Sequence, residues 1–174
     1  LNGHLVGGWP YGYNSWRLDL TPYIRPGGEN QLAIRLDNPN HSARWYPGGG
    51  LYRNVWLVKT NPVHVGQWGT FITTRDVSSL SATIGLAITI VNDSEVEQNV
   101  DIKTTIYQLD KELNISKEPV ATIPVRSLTF LPGESATAEG SVELKNPALW
   151  GPPPTQQPNL YEAVTTLYVK NKPM

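Results

Sequence analysis

The chain has 174 residues, of which 39% are hydrophobic and 17% charged, with a formal net charge of -1 and no cysteine. This composition can close a core, and it excludes disulfides, thiol catalysis and cysteine-held zinc or iron–sulfur sites. No Lys/Arg cluster stands out and no apolar run reaches membrane-spanning length, so neither nucleic acid nor membrane is expected as a partner.

The opening LNGHLVGGWPYGYNSW lacks the basic and apolar segments of a signal peptide. Leu1 to Leu5 read as a strand–turn–strand already under way, as if the chain began inside a fold. Period-two alternation then recurs along the chain, while helical periodicity is almost missing. Trp16/Leu18/Leu20 and Leu32/Ile34/Leu36 each mark one face of a strand. Ile84/Leu86/Ile88/Ile90 oppose Thr83/Gly85/Ala87/Thr89, and Val100/Ile102/Thr104/Ile106 oppose Asp101/Lys103/Thr105. Val142/Leu144 and Ala163/Thr165/Leu167/Val169 continue the pattern, the last with both faces partly covered.

Turn signals separate these runs at Arg25-Pro26-Gly27-Gly28, Asn38-Pro39-Asn40, Asn92-Asp93-Ser94, Leu131-Pro132-Gly133-Glu134 and Pro152-Pro153-Pro154. Short strands at this spacing predict an antiparallel all-β sandwich architecture. A boundary is expected near Thr60-Asn61-Pro62. Residues 1–60 hold Trp9, Trp16, Trp45 and Trp56 and read as half of a sandwich lacking its earlier strands. Residues 61–174 carry about the number of strands an immunoglobulin-like sandwich needs.

A search for chemistry eliminates most candidates. The acidic residues lie in turns or on polar faces, with Asp101 alternating outward and Glu134 following a Pro-Gly turn, so no catalytic carboxylate pair is expected. His4, His41 and His64 lack ligand spacing, so no metal site is expected. The serines lack a nucleophile-elbow context, and Gly48-Gly49-Gly50 lacks the Lys-Ser/Thr and helix of a phosphate loop. The glycosylation triplets at Asn40, Asn92 and Asn114 carry no weight. What remains is SARWYPGGGLYRNVWL, residues 42–57. Aromatic rings beside arginines make a sugar-binding surface, because a ring covers the apolar face of a pyranose while a guanidinium reaches its hydroxyls. The same residues also suit a glycine corner with Trp45 and Trp56 filling a core. On the residues alone both readings stand.

Four segments together resemble glycoside hydrolase family 2, the β-galactosidase, β-glucuronidase and β-mannosidase group, along essentially the whole chain. Leu1 to Tyr13, running into Trp16-Arg17-Leu18-Asp19-Leu20-Thr21, is similar to the family's jelly-roll hairpin and its "FDIT" segment. Gly28-Glu29-Asn30-Gln31-Leu32 is similar to "GEN-x-L", and Arg44 to Leu57 to "RWYPG-x-GIYR-x-V-x-L". Leu149-Trp150-Gly151-Pro152 with Pro158-Asn159-Leu160-Tyr161 resembles "LWSP…P-x-LY".

The resemblance implies a partial sugar-binding jelly roll over 1–60 and an immunoglobulin-like domain over 61–174, followed in the parent enzyme by a (β/α)8 barrel. That barrel supplies two catalytic glutamates of a retaining mechanism. Neither has a counterpart here, so the resemblance assigns no catalytic residue and no cofactor to this chain. It places Ser42, Arg44, Trp45 and Tyr46 on the rim of the sugar site, Arg44 as a donor and Trp45 or Tyr46 as a wall. The aspartate that some relatives use in this loop for sugar and sodium contacts is missing between Asn38 and Asn54. The expected partners are the parent's carbohydrate substrate and its own barrel, with self-association open to exposed edge strands. A free-standing carbohydrate-binding module or a structural linker is the competing expectation.

Overall fold

The alternating Val, Ile and Thr runs of the second half fold as antiparallel strands: β1 (Val63–Arg75), β2 (Ser81–Asn92), β3 (Gln98–Gln108), β4 (Ala121–Phe130), β5 (Ser135–Lys145), β6 (Tyr161–Val169) and the short β7 (Lys172–Pro173). The computed structural model describes residues 1–40 and 48–174, which divide into two compact units, 1–57 and 58–174. These strands all lie in the second unit and form two sheets, ordered β1-β2-β5 and β4-β3-β6-β7. The all-β class expected from the alternation is what the structure shows. Three strands facing four, with sheet changes between β2 and β3, β4 and β5, and β5 and β6, make an immunoglobulin-like sandwich.

The two-residue period decides which atoms fill the space between the sheets. Leu86, Ile88 and Ile90 of β2 meet Val100, Ile102 and Ile106 of β3, with Ile123, Phe130, Ala138 and Leu167 closing the cluster. Thr104 shares that inner face and is almost fully buried. Its hydroxyl is satisfied 2.7 Å away by the hydroxyl of Thr165 on β6, which removes the penalty of a bare buried oxygen.

Two irregularities adapt the edge strands. In β4, Pro124 and Val125 stand against the single residue Lys103. Proline cannot donate to a ladder, so an edge-strand bulge is where it fits. In β1, residues 66–69 stand against Thr89 alone, between the pairs Val65–Ile90 and Thr70–Ile88. Trp68 at the centre of this bulge has φ 53° and is 71% exposed. Gly69 is required beside it: a Cβ there would come within 2.7 Å of the Gly66 oxygen and 2.9 Å of the Thr89 oxygen.

The first unit departs from expectation. Its only regular element among the described residues is a 3-10 turn, Thr21–Tyr23. Trp16/Leu18/Leu20 and Leu32/Ile34/Leu36 were expected as strands but join no β-ladder. Leu32, Ile34 and Leu36 stand exposed. The alternation is present in the sequence, yet a strand needs a backbone partner and its apolar face needs a covering layer. The described residues of this unit supply neither for these segments.

One side chain joins the crossovers at the pole opposite the β1–β2 turn. Asn92 is completely buried at the end of β2. Its amide nitrogen donates to the carbonyls of Val96 (2.9 Å), Phe130 (3.2 Å) and Leu131 (3.2 Å). Its amide oxygen accepts from the Ser94 backbone N–H (3.1 Å) and hydroxyl (2.6 Å). The Asn92 N–H donates to Glu134 O at 2.9 Å, and Gly133 N–H donates to Asn92 O at 2.8 Å. Breaking a buried network strands carbonyls without partners, so Asn92→Leu is expected to lower the unfolding free energy by about 3 kcal/mol. Asn92→Asp should be at least as damaging at neutral pH and recover in part on acidification, when a protonated carboxyl can donate one bond again. Denaturant melts of both variants check this; a Leu variant as stable as wild type would contradict it.

Candidate functional site

Within the first unit, the motif residues that resemble the family work first as structural ties. Asn2 has φ 54° and donates from its amide to Tyr23 O and to Asn30 Oδ1, each at 2.9 Å. It also exchanges bonds with Gln31: Gln31 N–H donates to Asn2 Oδ1 at 3.0 Å, and Asn2 N–H donates to Gln31 O at 2.9 Å. Asn30 in turn accepts from Arg25 N–H at 2.8 Å and donates to Arg25 O at 3.1 Å and Gly28 O at 3.0 Å. The Asn of "LNG" and the Asn of "GEN" therefore form one network. Gly7 lies against Leu18, where any added Cβ would press on the leucine side chain.

The four residues singled out for sugar contact, Ser42, Arg44, Trp45 and Tyr46, lie in 41–47, outside the described residues. Their flanks are described. Asn38 and Gly49 approach one another, a Cβ built on Gly49 lying 3.8 Å from Asn38 Cβ. Beyond the glycines, the Arg53 guanidinium stands 5.2 Å from the Tyr52 ring centre, a cation–π distance. Trp56, Leu57 and Tyr52 are exposed in this unit, so the core-filling alternative for Trp56 is not what the described residues display.

Two carboxyl groups show what environments this chain provides. Asp19 accepts the Thr21 N–H at 2.9 Å; the Thr21 hydroxyl and that N–H hold its pKa below the ordinary carboxylate value. Asp110 accepts from the Asn114 side-chain amide (3.0 and 3.3 Å), the Asn114 N–H (2.8 Å) and the Glu112 N–H (3.0 Å). These bonds, led by the Asn114 side chain, lower its pKa as well. A glycosidase general acid needs the opposite shift, so neither group suits that role; both organise turns. Among the described residues no three His, Cys, Asp or Glu side chains gather as a metal site.

Sequence reasoning gave no role to the exposed tryptophans of the second unit. Besides Trp68, Trp150 is 62% exposed on the connection between β5 and β6. That connection is tied by Ala148 N–H to Tyr161 Oη at 2.7 Å, Asn159 Nδ2 to Leu149 O at 2.8 Å, and Gly151 N–H to Gln157 O at 2.8 Å. The available signal was the pairing of the Leu149-Trp150 and Leu160-Tyr161 motifs, which the structure brings together.

Comparison with known proteins shows the family to which these two units belong. The model of Glycosyl hydrolases family 2 matches residues 63–174. The chain belongs to that family. It is 38% identical over 170 residues to a β-galactosidase of Bacteroides ovatus, BoGH2A, covering 95% of this chain and 18% of that protein. A β-glucuronidase of Formosa agariphila is 26% identical over 194 residues, covering 99% of this chain and 19% of that protein. Among solved structures, a glycosyl hydrolase family 2 member from Bacteroides cellulosilyticus superposes on 94% of this chain and 20% of its own, with a TM-score of 0.80 and 33% identity. The chain thus spans about a fifth of the length of these relatives.

The Asp110 turn carries a pH dependence of known sign. A carboxyl whose folded pKa is depressed stabilises the fold above its unfolded pKa, and that contribution is lost as pH falls through the folded value. A carbon-detected NMR titration should place the Asp110 midpoint below that of an unstructured aspartate. Asn114→Ala should move it upward, since the Asn114 amide is the leading cause. A midpoint unmoved by that substitution would assign the shift elsewhere.

Proposed function

We propose that this chain is a non-catalytic segment of a retaining β-galactosidase that removes terminal β-galactosides. The observation that carries the reading is the family match over 63–174 joined to 38% identity with a β-galactosidase along 95% of the chain. In this reading residues 1–60 are the C-terminal part of a sugar-binding jelly roll and 61–174 an immunoglobulin-like domain. The bond is broken by two glutamates of a barrel contributed by the rest of the parent protein. The segment supports that barrel and shapes the rim of its site.

The chemistry left to this chain is positioning. Arg44 offers guanidinium donors to a sugar hydroxyl, and Trp45 or Tyr46 supplies a flat apolar wall for a pyranose face. Ser42 adds a short hydroxyl beside them. Such contacts orient the sugar without entering the proton transfers, so their removal weakens transition-state binding rather than abolishing turnover.

The purified 174-residue chain should release no nitrophenol from a nitrophenyl β-galactoside, while the parent enzyme does so and hydrolyses the β-glucuronide much more slowly. Turnover by the isolated chain, or a parent that prefers the glucuronide, would overturn the assignment. In the parent, Arg44→Ala should lower kcat/KM by about 10- to 100-fold, the range of a charged hydrogen bond worth roughly 1.5–3 kcal/mol, with the unfolding midpoint unchanged. Normal folding with unchanged kinetics would remove Arg44 from the rim.

A further inference from the structure

The free edges of the two sheets are guarded in different ways, and one stretch is left open. β4 carries Pro124 in its bulge and Arg126 just beyond it. β5 alternates Glu139, Glu143 and Lys145 along its length, and its Glu139 carbonyl accepts from Arg126 Nε at 3.2 Å. β6 is covered at one end by β7 and carries Glu162 near the other. Charges, prolines and bulges are the usual means of keeping a free edge from pairing with another chain. β1 is the remaining edge among the described residues, standing first in the order β1-β2-β5. Residues 65–74 of that strand include no charged side chain and no proline.

Within β1 the bulge at 66–69 interrupts the ladder to β2, and regular pairing resumes over 70–75. The run Thr70-Phe71-Ile72-Thr73-Thr74 consists wholly of β-branched and aromatic residues, the composition best suited to pairing edge to edge. Every second residue of it turns its N–H and C=O away from β2. Its apolar members are uncovered on both faces. Phe71 stands opposite Ala87 on the outer face and is 66% exposed. Ile72 stands opposite Leu86 on the inner face and is still 46% exposed.

We propose that residues 70–74 form a self-association edge, to which a second copy of the chain adds its own β1 in antiparallel pairing. A two-fold axis perpendicular to the sheet matches only residues whose side chains share a face. Centred on Ile72, it sets Ile72 against Ile72, Phe71 against Thr73 and Thr70 against Thr74 of the second copy. Each is a favourable cross-strand pair of β-branched or aromatic side chains. The ends match as well. Arg75 falls opposite Gly69 of the second copy, beside the exposed Trp68, whose ring offers its guanidinium an aromatic face. The extrusion of Trp68, at φ 53°, thereby ends the paired run at the same place in both copies. A formal net charge of -1 per chain leaves little repulsion between them. The pairing joins two three-stranded sheets into one of six strands.

The chain lacks cysteine, so a single introduced thiol reports the pairing directly. In the 174-residue chain, Ile72→Cys sets two thiols across the axis with Cα atoms about 4.5–5.5 Å apart, within disulfide reach. Under mild oxidation it should form a cross-linked dimer at least about tenfold faster than Ser141→Cys on β5. Sedimentation of the unsubstituted chain should show a concentration-dependent dimer. Phe71→Lys and Ile72→Lys, by placing charge in the joined edge, should weaken that dimer at least about tenfold with the melting midpoint held. A chain that stays monomeric at millimolar concentration would overturn the proposal. Equal cross-linking of the two thiols, or a dimer that both lysine variants leave intact, would overturn it too, by putting the contact elsewhere. None of these readouts depends on which sugar the parent enzyme cleaves.

Discussion

The second unit depends on Asn92. An immunoglobulin-like sandwich is two sheets held mainly by apolar contact, which is non-directional and would tolerate sliding. Directional bonds at one point make the arrangement unique. Asn92 terminates β2, and from its buried position it holds the β2–β3 turn through Val96 and Ser94 and the end of β4 through Phe130 and Leu131. Its own backbone carries the β4–β5 turn through Gly133 and Glu134. Two of the three sheet changes therefore meet at one amide group. No buried side-chain nitrogen or oxygen among the described residues is left without a partner, which is the condition for a polar group in a core to specify rather than destabilise.

From that anchor the rest of the unit follows. With one pole locked, the alternation in β2 and β3 fixes the register of the apolar cluster, since a slip of one residue would turn Ile88, Ile90, Val100 and Ile102 outward. The irregularities fall at edges, where they cost least: Pro124 at a bulge in β4 and the extrusion of Trp68 from β1. The opposite pole is built from longer connections and presents apolar surface.

How much of this was legible in the residues varies by element. Ile84 to Ile90 and Val100 to Ile106 are readable because uninterrupted period-two patterning has one physical solution when a single face is buried. β4 is less readable, because Pro124 breaks its alternation and only the pairing partner reveals the bulge. Asn92 reads from sequence as a turn residue and an unweighted glycosylation triplet. Its burial comes from Phe130 and Leu131, nearly forty positions away, which local patterning cannot foresee. In the first unit the same patterning overreached: Leu32, Ile34 and Leu36 alternate as a strand would, yet join no ladder among the described residues. The sugar-contact expectation at Ser42, Arg44, Trp45 and Tyr46 falls on residues outside those described.

The claim that one buried amide holds the sandwich together is tested most directly at the amide itself. In an NMR exchange experiment on the 174-residue chain, the two Asn92 side-chain Nδ2 protons should persist as long as the slowest backbone amides of Ile90 and Val100, exchanging only through global unfolding. Exchange as fast as that of the exposed Asn114 side-chain amide would contradict the account, because it would mean that the pole opens without unfolding the sheets it is said to lock.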